Sequence, residues 1–215
     1  MSLDSLRITE IFYSLQGEGK TVGFPTTFIR LTGCPLRCHY CDTEYAFHGG
    51  KTQSIDDIVK KTKQLGARYI NVTGGEPLAQ KRVHGLMQQL CDEGYHVSLE
   101  TSGALDVSAV DPRVIKVLDV KTPSSGEMAK NKHSNYSYLT PDDQVKYVIG
   151  DEVDFHWSKD HMREHALDEK CEVLFSPVQG QLKAKDLADW VLEHKLPVRF
   201  QIQLHKYLWG DTPGK

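Results

Sequence analysis

Three thiols fall within eight residues of this sequence. The stretch LTGCPLRCHYCDTEYAF, from Leu31 to Phe47, carries Cys34, Cys38 and Cys41 at C-x3-C-x2-C spacing. Thiolates bind soft or borderline metals, so the first reading is a metal centre. A zinc ion prefers four ligands, often as paired C-x2-C knuckles. Here the fourth would have to be His39, His48 or a distant residue. An iron–sulfur cubane with four irons also takes four ligands. Three cysteines would leave one iron open, and an open metal position is where a substrate binds. Cys91 and Cys171 stand apart, one in a helical pattern and one before a strand, and read as small buried apolar residues.

Other polar groups sit where chemistry is expected. Gly74-Gly75-Glu76-Pro77 follows the apolar run INVT, and such glycines let backbone approach a ligand closely. LQGEG, Leu15 to Gly19, places Gln16 and Glu18 among glycines, as at a ligand-facing turn or a plain surface turn. It does not match G-x-G-x-x-G and has no preceding βαβ unit. Arg30 lies inside an apolar strand beside Ile29 and Leu31. A buried arginine needs a partner, and its planar fork suits a carboxylate. That carboxylate belongs either to a ligand or to a nearby glutamate.

The surrounding elements must position these groups. Strands are expected over Ile8–Tyr13, Thr26–Leu31, Tyr69–Thr73, His96–Thr101, Ile115–Val120, Val145–Ile149, Val173–Ser176 and Val198–Leu204. A helix starts at Ser54, whose S-I-D-D run gives an N-cap with an acid three residues later. Others span Leu78–Glu93, ended by Gly94, and Ala184–His194. Strand–helix alternation predicts an α/β fold with a mostly parallel sheet. The turns LTGC, VTGGEP, LETSG, DVKTPSSG, VIGDE, FSPVQG and QLHK end the strands in small or polar residues, which suggests one shared functional rim. A doubly wound sheet would also put ligands at strand ends, so the rim fixes the class better than the topology. Residues 127–143 read as a polar, exposed insertion and 209–215 as a C-terminal tail within one domain, 1–215.

Composition narrows the setting. At 39% hydrophobic and 26% charged, the chain reads as an ordinary soluble globular protein. A net charge of −3 gives no electrostatic reason for tight nucleic-acid binding. No apolar run suggests a membrane span, and the first residues do not look like a secretory signal. An odd, clustered cysteine count argues against a disulfide framework and for a reducing, cytoplasmic setting.

C-x3-C-x2-C after a strand, with GGEP after a later one, is the signature of the radical S-adenosylmethionine (SAM) enzymes. LQGEG, the strand arginine, C-x3-C-x2-CDT, TGGEP, LETSG, VKTPSSG and the terminal Q-x-H-K-Y-L together closely resemble the 7-carboxy-7-deazaguanine synthases, from Ile11 to Leu208. A relative with similar ends is the activase of anaerobic ribonucleotide reductase, which makes a glycyl radical on a partner protein; LQGEG is not expected there. That activase and a zinc-stabilised binding module are the alternatives.

The resemblance implies a partial, open (β/α) barrel, since the chain is shorter than the roughly 250 residues of a full one. It implies a 4Fe-4S cluster on Cys34, Cys38 and Cys41 whose open iron chelates SAM and whose electron generates an adenosyl radical. Carboxytetrahydropterin would be converted to 7-carboxy-7-deazaguanine with loss of ammonia, feeding 7-deazapurine synthesis including queuosine in tRNA. Tyr40, Cys41, Asp42, Gly75, Asp119, Val120, Lys121, Ser176, Pro177, Val178 and Gln179 would surround SAM. The family's usual Ser-Pro-Lys is Asp-Val-Lys here, so Lys121 carries over best, and Ser124 is an added candidate. Leu15, Gln16, Gly17, Glu18, Arg30 and Thr73 would hold the pterin, and Thr43 would ligate Mg²⁺. Tyr45, Phe47 and His48 are candidates for an adenine pocket, and His205 and Lys206 for the rim. Some members end just after HKYL with the terminal carboxylate near the substrate; this chain continues WGDTPGK, which leaves that contact open. The resemblance also implies a homodimer and a flavodoxin or ferredoxin as electron donor.

Overall fold

The computed structural model describes residues 4–210, 212 and 214. Asp211, Pro213 and Lys215 of the expected tail lie outside them. Nine strands are described: β1 (Ser5–Leu15), β2 (Pro25–Leu31), β3 (Lys51–Ser54), β4 (Tyr69–Gly74), β5 (His96–Thr101), β6 (Ile115–Val120), β7 (Gln144–Ile149), β8 (Glu172–Pro177) and β9 (Arg199–Phe200). The helices are α1 (Ile55–Leu65), α2 (Val83–Asp92), α3 (Glu152–Glu164), α4 (Leu167–Lys170), α5 (Ala184–Glu193) and α6 (Leu204–Trp209).

All strands join one sheet in the order β3-β1-β2-β4-β5-β6-β7-β8-β9. β1 is antiparallel to β2 and β3, and every pair from β2 onward is parallel. From β4 onward each strand pairs with its predecessor in the parallel run and the order never reverses. A doubly wound sheet reverses at a switch point. This sheet winds one way, as a barrel does, and stays open because β3 and β9 have one strand neighbour each.

Residue alternation explains how the sheet makes both a core and a site. Ile29 and Leu31, Ile70 and Val72, Val97 and Leu99, Val145 and Tyr147, and Val173 and Phe175 belong to the buried core. They share it with Ile58 and Val59 of α1, Leu86 and Met87 of α2, Phe155 of α3 and Leu187 of α5. Strand residues between them point to the opposite face, where Arg30, Thr73, Glu100, Asp119 and Lys146 stand. Parallel strands packed on both faces read as continuous apolar runs. Here the polar alternate positions mark an inner face that is not a core.

Ser54 caps α1 as its sequence requires, its hydroxyl accepting from Asp57 N. α2 starts later than expected, because Pro77–Ala79 forms a 3-10 turn and Gln80 is extended. The last expected strand shrinks to Arg199–Phe200. Gln201 N still bonds Phe175 O, but Leu204 N bonds Gly17 O, and the HKYL segment coils into α6 instead of ending a strand. The expectation of a simple exposed insertion at 127–143 is also corrected: Asn135 and Tyr136 are buried. The Asn135 amide donates to Gly103 O and Leu105 O, pinning the segment to the β5–β6 loop. β3, α3 and the short α4 escaped the sequence. β3, KTQS, has no apolar alternation, and three of the five buried residues of α3 are polar.

Candidate active site

The cysteine loop leaves β2 and is fastened on two sides. On the first, the GGEP turn lies against it. Gly75 N bonds Leu31 O and Glu76 N bonds Gly33 O. A Cβ on Gly75 would lie 2.3 Å from Gly33 O, and one on Gly74 would lie 2.7 Å from Leu31 O. These glycines are required by backbone meeting backbone, whatever ligand they also face. Glu76 is fully buried and accepts from Leu78 N, Ser102 N and the hydroxyls of Thr101 and Ser102. It ties the turn after β4 to the LETSG turn after β5. On the second side, His39 N donates to Ser125 O, and Tyr40 OH lies 3.3 Å from Thr122 Oγ1. His39 Nδ1 sits 3.1 Å from Ser124 O.

Burial pushes all three thiols up, Cys38 to about 11, while Lys121 pulls the other way. A metal must therefore displace protons to bind there. The donor set suits a cluster better than a single ion. Sulfurs around one tetrahedral zinc lie about 3.8 Å apart, from Zn–S bonds of about 2.3 Å. Among the described residues, the three thiols do not appear as a group converging on one ion position. His39 is engaged with Ser124, and His48 does not line the cavity that the thiols face.

That cavity has a volume of about 750 Å³. Cys34, Cys38, Cys41, Tyr40, Asp42, Thr43, Gly75, Asp119, Lys121, Val178 and Gln179 line it. So do Leu15, Gln16, Gly17, Glu18, Arg30 and Thr73, together with Tyr45, Phe47, His205 and Lys206. The structure thus brings the three-cysteine loop and the LQGEG turn to one space. Val120, Ser176 and Pro177 are not brought to it. Val120 belongs to the helix-facing core, and Ser176 and Pro177 are buried at the end of β8. The Ser124 hydroxyl is committed to Asp154 of α3.

Charges cross the cavity in a chain. Lys121 Nζ lies 3.1 Å from Asp119, and Lys146 Nζ lies 3.7 Å from Asp119 and 2.7 Å from Glu18. Gln203 Nε2 donates to Glu18 at 2.9 Å and to Asp42 at 3.3 Å, and Thr43 Oγ1 donates to Asp42 at 2.7 Å. Burial opposes charge on Lys121 and Lys146, yet neighbouring acids hold both pKa values above the ordinary lysine range: chiefly Asp119 for Lys121, and Glu18 then Asp119 for Lys146. Both remain cations.

Arg30 has the internal partner that its position allowed. Its Nε donates to Glu10 at 2.8 Å, and Tyr45 OH donates to the same oxygen. Its two terminal nitrogens make no hydrogen bond among the described residues, so the fork keeps an edge for a second carboxylate. Gln16 is less available than expected, since its Oε1 accepts from Gly17 N at 2.8 Å and caps its own turn. His205 packs directly on Gly17, where a Cβ would fall 2.1 Å from its Nδ1. Glu10, Glu100, Lys146 and Gln203 also line the cavity and were missed. The signal existed for three of them: each is a charged residue inside an apolar strand, as Arg30 is. Gln203 also gave a signal, since it opens the Q-x-H-K-Y-L motif, although its segment read as a strand.

Comparison with known proteins agrees with this geometry. The Radical SAM superfamily profile matches residues 28–119. The 7-carboxy-7-deazaguanine synthase of Chlorobaculum tepidum is 45% identical over 97% of both chains. That of Koribacter versatilis is 42% identical over 97% of this chain and 100% of its own. The crystal structure of QueE from Escherichia coli superposes with a TM-score of 0.73 at 22% identity, covering 94% of this chain and 95% of that one, which establishes a shared fold. The chain belongs to the 7-carboxy-7-deazaguanine synthase family of the radical SAM superfamily.

Proposed function

We propose that the chain converts 6-carboxy-5,6,7,8-tetrahydropterin to 7-carboxy-7-deazaguanine and ammonia, a carbon–nitrogen lyase step in 7-deazapurine and queuosine biosynthesis. One observation carries this reading: the LQGEG turn and Arg30 share a cavity with the three-cysteine loop. Cys34, Cys38 and Cys41 hold the cluster, and Tyr40, Asp42, Gly75, Asp119, Lys121, Val178 and Gln179 surround SAM. When bound, cluster and SAM together supply a hydrogen-atom abstractor. The chain's own residues select and orient its target. Arg30 offers its free edge to the pterin carboxylate, a charge-assisted and directional contact. Glu18 accepts from the amino-bearing edge of the pterin, and the ion pair to Lys146 at 2.7 Å holds that carboxylate in place. Thr73, Leu15 and Gly17 shape the wall. Loss of ammonia with ring contraction is redox-neutral, so the hydrogen removed must be returned, consistent with SAM acting as a cofactor.

Thr43 and Asp42 present adjacent oxygens, the donor type Mg²⁺ prefers, so they would hold a magnesium ion, which would supply positive charge for an anionic substrate. The wider setting proposed is a cytoplasmic homodimer reduced by a flavodoxin or ferredoxin. Among the described residues no helix is long and apolar enough to cross a membrane. The test is anaerobic turnover of cluster-loaded protein with the pterin, SAM, reductant and Mg²⁺. A product lighter by one ammonia is expected, and Thr43→Ala should shift half-maximal activation to higher Mg²⁺ by about tenfold. SAM cleavage with an untouched pterin, with or without Mg²⁺, overturns the assignment.

A further inference from the structure

Three imidazoles meet on the helical layer, away from the cavity. His161 lies in α3, His165 follows one turn later as its C-cap, and His133 opens the 3-10 turn His133–Tyr138. One ligand nitrogen from each lies within 4.8 Å of the other two. The ring centroids are 4.6 Å apart for His161–His165, 4.8 Å for His133–His165 and 5.3 Å for His133–His161. Histidines four apart on a helix are the spacing that sets two imidazoles on one ion.

Two further observations point to a ligand. His165 Nε2 is buried without a hydrogen-bond partner among the described residues, and such orphaned nitrogens are uncommon. The ring of His161 is oriented by the hydroxyl of buried Tyr147, 2.8 Å from its Nδ1, while its Nε2 has only the longer 3.3 Å contact to Tyr136 OH, which an ion would displace. Tyr136 OH, 3.3 Å from that Nε2, stands where it can hydrogen-bond a fourth, water ligand.

We propose that His133, His161 and His165 form a tetrahedral zinc site with one water. Neutral imidazole suits Zn²⁺, whose bonds of about 2.0–2.1 Å would draw the three rings slightly closer. The site would staple the 127–143 segment to α3. That wall supports the cavity: Glu127 accepts from Arg37 N in the cysteine loop, Asn131 brackets the backbone of Lys121, and Asp154 of α3 holds Ser124. The zinc would brace from outside the surface that the cysteine loop leans on from inside.

The test uses the full chain with its cysteine centre already loaded with iron and sulfide, so that the thiols are occupied. Equilibrium dialysis against Zn²⁺ alone, followed by elemental analysis, should give one zinc per chain. His133→Ala and His165→Ala should each weaken uptake at least about tenfold. His133 is exposed, so its variant folds without a packing defect. X-ray absorption at the zinc edge should show only nitrogen and oxygen neighbours. No uptake, uptake undiminished in both variants, or sulfur neighbours overturns the site.

Discussion

Two glutamates in this chain share a local signature and end in opposite circumstances. Glu76 and Glu18 each follow a glycine in a short turn. Glu76 is fully buried, and its carboxylate is saturated by donors of its own turn and of the turn after β5. Glu18 faces the cavity and pairs with Lys146 and Gln203, side chains far away in sequence. The first glutamate holds turns together, and the second serves whatever fills the space between them. The difference lies in what reaches each carboxylate: backbone and hydroxyl groups for a scaffold, a cation and a displaceable amide for a site.

Three changes can break or sharpen this contrast. Glu76→Ala should have the largest effect. It strands four donors in a dry interior, costing roughly 3 kcal/mol or more, with a fall in Tm on the order of 10 °C. Thermal unfolding checks this, and an unchanged Tm would erase the distinction. Glu18→Gln should act on turnover instead. Loss of one charged contact predicts a drop in kcat/KM of about tenfold to a hundredfold, mostly in KM. Its Tm should move far less than that of Glu76→Ala, because Asp119 still faces Lys146. The smallest effect belongs to Gly17→Ala, whose new methyl must push His205 aside. A loss of about 1 kcal/mol in apparent substrate affinity is expected, and His205→Ala in the same chain should restore most of it. Failure of that rescue would show that the close approach of His205 is not what Gly17 provides.

Much of this was legible in the sequence for a physical reason. The cysteine spacing, the polar strand ends and the Ser54 cap are local codes, each complete within a few residues. Arg30 was legible because charge inside an apolar strand is costly and therefore meaningful. Glu10, Glu100 and Lys146 carried the same signal, and applying the argument to every strand would have found them. The role of Glu76 was not legible, because its partners come from the next strand's turn. Nor was α6, since HKYL follows directly on a run that read as a strand, and the turn into the helix is marked only by the distant Leu204 N to Gly17 O bond. Ser124 looked like a ligand contact only while Asp154 of α3 was out of view.

The winding order has a consequence for how the molecule is made. Each parallel strand from β4 onward pairs with the strand before it in that run, so these pairings have the shortest sequence separations a parallel sheet allows. Glu18 behaves otherwise: it meets its partners across 128 and 185 residues of sequence. The scaffold can therefore stand before the acid in its lumen has been given its company. Completing the chamber therefore needs contacts much longer in sequence than those between neighbouring parallel strands, and a chain ending short of Gln203 would lack one of the partners of Glu18.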